Sequence, residues 1–255
     1  MSSEEISDQH NLAEHYQNID PHEKIAVSKK LFFDFVLNHL TDQTEQKNRK
    51  VLDIGCGYGY FLELAKERGW KVSGIEIVES AIQAVRKKFG DQNAFYRSLG
   101  EACFSENCFD AITLWDVLLF VNNPYTVLKE CHRILKTGGV IGIRVRNVIF
   151  QKLAYITYLI LKKIGLNSVL KNPSVFHPYC FNPNSIHHLL SRLEFKNIQI
   201  TNSILTSGDP YSYSKSHRLI KMTKALIFFI SKFVFRISRG KFIIGPSLLI
   251  WAEKP

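Results

Sequence analysis

The stretch Val51-Leu52-Asp53-Ile54-Gly55-Cys56-Gly57-Tyr58-Gly59-Tyr60-Phe61-Leu62 constrains this chain more than any other. A short apolar run, long enough for one strand, meets three glycines at alternate positions and then an apolar pattern of helical spacing. Such a turn lets backbone press against a nucleotide-like ligand at a helix N-terminus with no Cβ in the way. The glycines run G-x-G-x-G, and an acid, Asp53, stands two residues before the first. A dinucleotide-binding turn needs its third glycine at the sixth position of G-x-G-x-x-G, for close helix packing. Tyr60 occupies that position here, which argues against NAD.

The surrounding pattern alternates. Apolar runs read as strands near 50–54, 71–75, 93–97, 109–114 and 139–146, and helical spacing recurs near 59–68, 79–89 and 124–135. Strands separated by helices of this length argue a parallel sheet with right-handed crossovers. The run 109–114 is nearly all apolar, as a strand covered on both faces should be. Ahead of the sheet, residues 1–20 are polar and aperiodic, and Ile25, Leu31, Phe32, Phe35, Val36 and Leu40 stripe a helix over 22–40. After Asn147 the texture changes. An apolar helix is expected at 149–164, a loop around Phe176–Phe181, a helix opening at Asn182-Pro183, and a strand near 195–203. A Gly-Asp-Pro turn at 208–210, a long helix at 216–239 and a strand at 242–253 complete the chain. Asn122-Asn123-Pro124-Tyr125 resembles a base-gripping tetrad but comes about seven residues too late for one. It reads instead as a helix start, with Asn123 as N-cap and Pro124 in the first turn.

Together these residues resemble the class I S-adenosylmethionine (SAM) methyltransferases. The glycine turn is similar to their first motif, and Glu76 in Ile75-Glu76-Ile77 stands where the family carries its ribose-binding acid. Phe109 to Asp116 looks like the fourth strand. Leu128-Lys129-Glu130-Cys131-His132-Arg133-Ile134-Leu135-Lys136-Thr137-Gly138-Gly139 is similar to the family run L-x-E-x-x-R-x-L-K-P-G-G, with Thr137 in the usual proline position. The resemblance covers residues 50–146 and is looser outside them. It implies a three-layer, Rossmann-like α/β fold with a seven-stranded, mainly parallel sheet, an antiparallel last strand and a helical cap. On this reading one domain comprises a helical arm (1–49), a SAM-binding core (50–146), cap helices with a sixth strand (147–241) and a final strand (242–255).

The resemblance also implies a cofactor set. Asp53, Gly55, Cys56, Gly57, Tyr58 and Gly59 would form the turn around the methionine and ribose. Glu76 would accept two ribose hydroxyls, because a carboxylate takes two donors at once, with Ile77 beside it. Ser98 and Leu99 would meet adenine, although many members carry Asp at the place of Ser98. Trp115 would pack either on the cofactor or substrate or in the core. His177 and Tyr179 lie where small-molecule members build the acceptor pocket. His177 would serve as general base or orienting donor, or as an ordinary loop histidine.

Charge separates the two halves. Residues 1–130 hold 14 Lys+Arg against 20 Asp+Glu, whereas residues 131–255 hold 19 against 3, within a net charge of +10. The basic half points to an anionic partner. Between 215 and 241 stand Lys215, Arg218, Lys221, Lys224, Lys232, Arg236, Arg239 and Lys241 without one acid. A broad apolar arc, with Leu226, Phe229, Ile230 and Phe233, accompanies them. Lys224 and Lys232 bracket seven residues, too few for the roughly 20 of a membrane span. Two readings stand: a helix lying in an anionic membrane interface, or a lid packed on helix 149–164. Nucleic acid fits less well, since the aromatics avoid the lysine face. Five scattered cysteines without a C-x-x-C pair, and a polar acidic start without a signal-peptide pattern, give the expectation of a cytoplasmic chain, peripheral at a membrane's inner face. The cysteines show no metal-ligand clustering. The expected function is methyl transfer from SAM to a small-molecule or lipid-linked, anionic acceptor. RNA or protein methylation, and SAM binding without catalysis, remain the alternatives.

Overall fold

The computed structural model describes residues 21–42, 48–163, 179–204 and 217–255. The loose segment expected at 1–20, His177 and the 208–210 turn lie outside them. Within them, seven strands form one sheet: β1 (Lys50–Ile54), β2 (Lys71–Glu76), β3 (Ala94–Tyr96), β4 (Phe109–Trp115), β5 (Leu135–Arg146), β6 (Lys196–Asn202) and β7 (Ser247–Glu253). Their spatial order is β3-β2-β1-β4-β5-β7-β6. β1 to β5 run parallel, and β7 is inserted antiparallel between β5 and β6. The helices are α1 (Pro21–Asp42), α2 (Tyr60–Glu67), α3 (Glu79–Phe89), α4 (Pro124–Ile134), α5 (Val148–Lys163), α6 (Pro183–Arg192) and α7 (His217–Ile237).

The sheet separates two apolar layers. On one face Phe32, Phe33, Val36, Leu37 and Leu40 of α1 pack with Phe61 and Leu62 of α2 and with Trp115 and Trp251. On the other, Leu52, Ile112, Leu114, Ile141, Ile143 and Ile250 pack with Leu128, Ile186 and Leu190 of α4 and α6. All seven side chains of β4 are buried, as its two-sided cover requires. Two helix starts follow from local chemistry. Asn123 Oδ1 accepts from Tyr125 N–H at 3.0 Å and Thr126 N–H at 3.3 Å. Asn182 Oδ1 accepts from Ser185 N–H at 2.8 Å, while Ser185 Oγ accepts from Asn182 N–H at 2.9 Å, a capping box.

Three expectations change. β5 begins at Leu135 rather than 139, because Leu135 pairs with Phe109 before a bulge restores the main register at Ala111↔Val140. β7 begins at Ser247 rather than 242. The backbone ahead of it is drawn off the sheet by Asn147, a fully buried side chain whose amide donates to Ile243 O at 2.9 Å and Gly245 O at 3.0 Å. Finally, the described apolar side chains of α7 are not buried against α5. Its Ser231 is buried against β6, with Asn202 Nδ2 donating to Ser231 O. Leu226, Phe229, Ile230, Phe233 and Ile237 stay exposed, as do Leu153, Ile156, Leu159 and Ile160 on α5.

Candidate active site

β1, β2 and β4 end side by side, so their C-terminal ends and the turns leaving them define one edge. The turn after β1 is held to β2 by two bonds onto one carbonyl: Gly55 N–H and Cys56 N–H both donate to Ile75 O, at 2.8 and 3.0 Å. Gly55 has φ +71°, and a Cβ there would stand 2.5 Å from Val117, so the turn admits no side chain at that point. Gly57 differs. It too has positive φ, +53°, but among the described residues nothing lies within 4 Å of where its Cβ would be. Open space over a left-handed glycine is what a backbone needs to approach a ligand. Gly59, φ 80°, is the N-cap of α2 and donates to Cys56 O at 3.0 Å. Tyr58 is half-buried between them.

Glu76 closes the turn from the end of β2. It is 5% exposed, and three backbone donors converge on it: Gly57 N–H on Oε2 at 2.8 Å, and Ile77 and Val78 N–H on Oε1 at 2.7 and 3.0 Å. Burial raises its pKa above the usual carboxylate value, and those three bonds pull against the rise. Ile77 beside it is an exposed apolar side chain. Asp53 lies deeper, on β1, facing Thr113 across the β1–β4 pair. Thr113 Oγ1 donates to Asp53 Oδ1 at 2.6 Å. Burial pushes the Asp53 carboxyl up to about 7, opposed by the Thr113 bond and by the charge of Lys29 on α1.

The remaining expected residues part company. Cys56 contributes backbone to the turn, while its thiol packs in the α1 face of the core and burial holds its pKa well above the thiol norm. Ser98 N–H and Oγ–H both donate to Glu101 Oε2, at 2.8 and 2.7 Å. Glu101 is therefore a carboxylate at this end of β3 that the spacing alone did not mark, and these bonds lower its pKa. The Leu99 side chain is core. Trp115 resolves toward the core as well, ringed by Phe32 (5.1 Å between centroids, 88°), Phe61 (5.7 Å) and Trp251 (6.3 Å). Tyr179 packs against the other face, and its hydroxyl donates to Asn122 O at 2.6 Å, tying the segment before α6 to the start of α4. His132 is edge-on to Phe195 at 4.9 Å, and burial lowers its pKa. Among the described residues no group of His, Cys, Asp and Glu is placed to hold a metal.

Residues 52–143 match the methyltransferase-domain family. This segment is a class I methyltransferase domain. The domain is 32% identical over 108 residues to the ubiquinone biosynthesis O-methyltransferase of Pseudomonas aeruginosa, covering 40% of this chain and 47% of that protein. The chain thus spans about half the length of the curated relatives it matches. In three dimensions the fold is similar to a SAM-dependent methyltransferase of Archaeoglobus fulgidus (TM-score 0.51, 20% identity, 89% of this chain and 97% of that one). It is also similar to phosphoethanolamine N-methyltransferase 2 of Haemonchus contortus in complex with S-adenosyl-L-methionine (TM-score 0.56, 16%, 88% and 52%). A third likeness is to geranyl diphosphate C-methyltransferase of Streptomyces coelicolor (TM-score 0.54, 16%, 87% and 76%).

Proposed function

We propose that the chain is a SAM-dependent methyltransferase acting on a small-molecule acceptor. The observation that carries this reading is the pairing of Glu76 with Gly57: a buried carboxylate at the end of β2, facing a left-handed glycine with open space above it. The residues fit the cofactor. Glu76 would hold the ribose diol. Its two oxygens offer about four acceptor positions, of which backbone takes three, so a diol must share or replace the Gly57 N–H. Ile77 would cover one face of the adenine, and Ser98 with Glu101 would lie toward its polar edge. Asp53 would place negative charge beneath the sulfonium. SAM supplies an already activated methyl carbon, so this chain's residues have chiefly to position the acceptor in line and exclude water. Tyr179 contributes a fixed wall through its bond to Asn122, and His177 would be the base if the acceptor is a hydroxyl.

The acceptor is proposed to be lipid-linked and met at an anionic membrane surface. Support comes from α5 and α7, whose exposed Leu, Ile and Phe side chains stand beside Lys232, Arg236, Arg239 and Lys241. None of the described helices is long and apolar enough to cross a membrane, so these helices would lie in the interface. Calorimetry with SAM, S-adenosylhomocysteine (SAH) and NAD tests the first claim. Heat with the first two, none with NAD, and loss in Glu76→Ala is expected, and silence from SAM and SAH on folded protein refutes it. Co-sedimentation with phosphatidylserine vesicles at low salt tests the second. Phe229→Glu with Phe233→Glu should release the protein about tenfold or more, as removing two inserted rings requires. Unchanged sedimentation refutes the interface.

A further inference from the structure

Arg144 is a charge that the described residues leave poorly satisfied. It lies on β5, two residues before the strand's end, as the cross-strand partner of Trp115, on the face covered by α1. Its side chain is 11% exposed, and Phe32 of α1 lies with its ring centre 5.1 Å from Cζ. Among the described residues one of its five N–H donors has an acceptor, Nη1 to Asp116 Oδ2 at 3.2 Å. Nε is buried with no hydrogen-bond partner. Among the described residues Nη2 has no hydrogen-bond partner, and it is not among the buried atoms. A guanidinium taken this far out of water with one acceptor is costly, and such groups call for an explanation.

The neighbouring residues point the same way. Asp116, which fixes the guanidinium, sits at φ 64°, in the left-handed region that a non-glycine residue enters rarely and that recurs at functional positions. Its own N–H donates to Arg144 O at 3.0 Å, so the two residues clasp each other by backbone and side chain. Trp115, directly across the strand pair, has a buried indole N–H that also lacks a partner. The three residues stand at the ends of β4 and β5, the same edge from which Gly57 and Glu76 face their ligand, two strands further along. Asp116 takes a hydrogen on Nη1 and leaves Nη2 free to donate to an oxygen of an anionic group.

We infer that Arg144, oriented by Asp116, is the recognition point for an anionic oxygen group, a carboxylate or a phosphate, carried by the methyl acceptor next to an apolar body. The inference rests on the methyl-transfer reading of this edge and assigns the acceptor's anchor within it. Asp116 is a positioning residue: it sets which side of the guanidinium the acceptor meets.

The test uses benzoate and phenyl phosphate as probes, with benzamide as the neutral analogue of benzoate. The full chain is titrated with and without SAH, following the Trp115 indole N–H signal by NMR, assigned with Trp115→Phe. Saturable shifts from at least one of the two anions are expected, with benzamide at least tenfold weaker; which anion binds better separates carboxylate from phosphate. Arg144→Gln should weaken the anion at least tenfold, Arg144→Lys less, and Asp116→Asn should narrow the difference between anion and amide. Lys and Asn variants keep a donor or an acceptor in place, so the comparison survives if Arg144→Gln unfolds. Equal binding of benzoate and benzamide, no binding of either anion, or full binding in Arg144→Gln would overturn the assignment. Absence of SAH binding alone would sink the methyl-transfer reading and leave the anion result to stand by itself.

Discussion

Replacing Asp53 by Asn should make the protein more stable as pH rises, by an amount the structure sets. Asp53 is 2% exposed, and its carboxyl is pushed up to about 7 from an ordinary 3.8. A group whose folded pKa exceeds its unfolded one stabilises the fold below the unfolded value and loses that contribution as pH climbs through the folded value. A gap of about three units at 1.36 kcal/mol each makes the wild type lose about 4 kcal/mol from this group between pH 4 and pH 8. Asn keeps the oxygen that accepts from Thr113 and does not titrate. The two proteins should therefore be nearly equal at pH 4, and the variant should lead by a few kcal/mol at pH 8. Urea unfolding of both proteins at unit pH steps, taken as a difference, cancels every other titrating group. A difference that is flat across pH, or that favours the wild type increasingly at high pH, refutes the burial of this carboxyl as the source of its shift.

The same carboxyl should couple to the cofactor. SAM and SAH share their amino and carboxyl groups and differ in the sulfonium charge, so the ratio of their affinities should rise several-fold, approaching tenfold, from pH 5.5 to pH 8 in the wild type, as a lowering of the Asp53 pKa by about a unit implies, and stay flat in Asp53→Asn; paired calorimetry reads both. Gly142→Ala would place a Cβ 2.6 Å from Trp251 and 3.0 Å from Trp115. It should cost about 1–3 kcal/mol in a urea midpoint, partly recovered by adding Trp251→Leu. Asn147→Ala leaves Ile243 O, Gly245 O and Ile149 N–H without their side-chain partner. A loss of about 3 kcal/mol is expected, with faster hydrogen exchange at the Ile149 amide.

What was legible in the sequence is what local chemistry dictates. The β1 turn announces itself because a backbone with positive φ at Gly55, Gly57 and Gly59 selects glycine at each place. The α4 start was readable because Asn before Pro is a cap by stereochemistry. The run from Glu130 to Arg133 also has a local reason: Arg133 Nε and Nη2 clasp Glu130 at 2.9 and 2.6 Å, one turn away. Asn147, Arg144 and Glu101 were not read, and each has a specific cause. Asn147 binds carbonyls 96 and 98 residues away, and no spacing rule reaches that far. Arg144 sits in a strand whose alternation marks it as one polar residue among apolar ones, which a solvated edge would explain equally well. Glu101 acquires its place from Ser98, three residues before it in an irregular segment.

The boundary between the two groups is physical. The cofactor's shape is common to every protein that uses it, so the turn that meets it repeats as a motif. On the proposed reading the acceptor side would be assembled instead from α1, the end of β5, the segment around Tyr179 and the exposed faces of α5 and α7, elements far apart in the chain. What would select the residues there is the acceptor's own chemistry. On these two proposals the excess of 19 basic over 3 acidic residues after position 130 would have two separable sources. Lys232, Arg236, Arg239 and Lys241 are exposed and screened by salt, as the proposed membrane face would require. Arg144 is buried and held in one orientation by Asp116. Neutralising the first group should abolish vesicle binding and leave benzoate recognition intact; neutralising Arg144 should do the reverse. If both substitutions weakened both kinds of binding alike, one diffuse positive field would explain the basic half, and neither a membrane face nor an acceptor anchor would be needed.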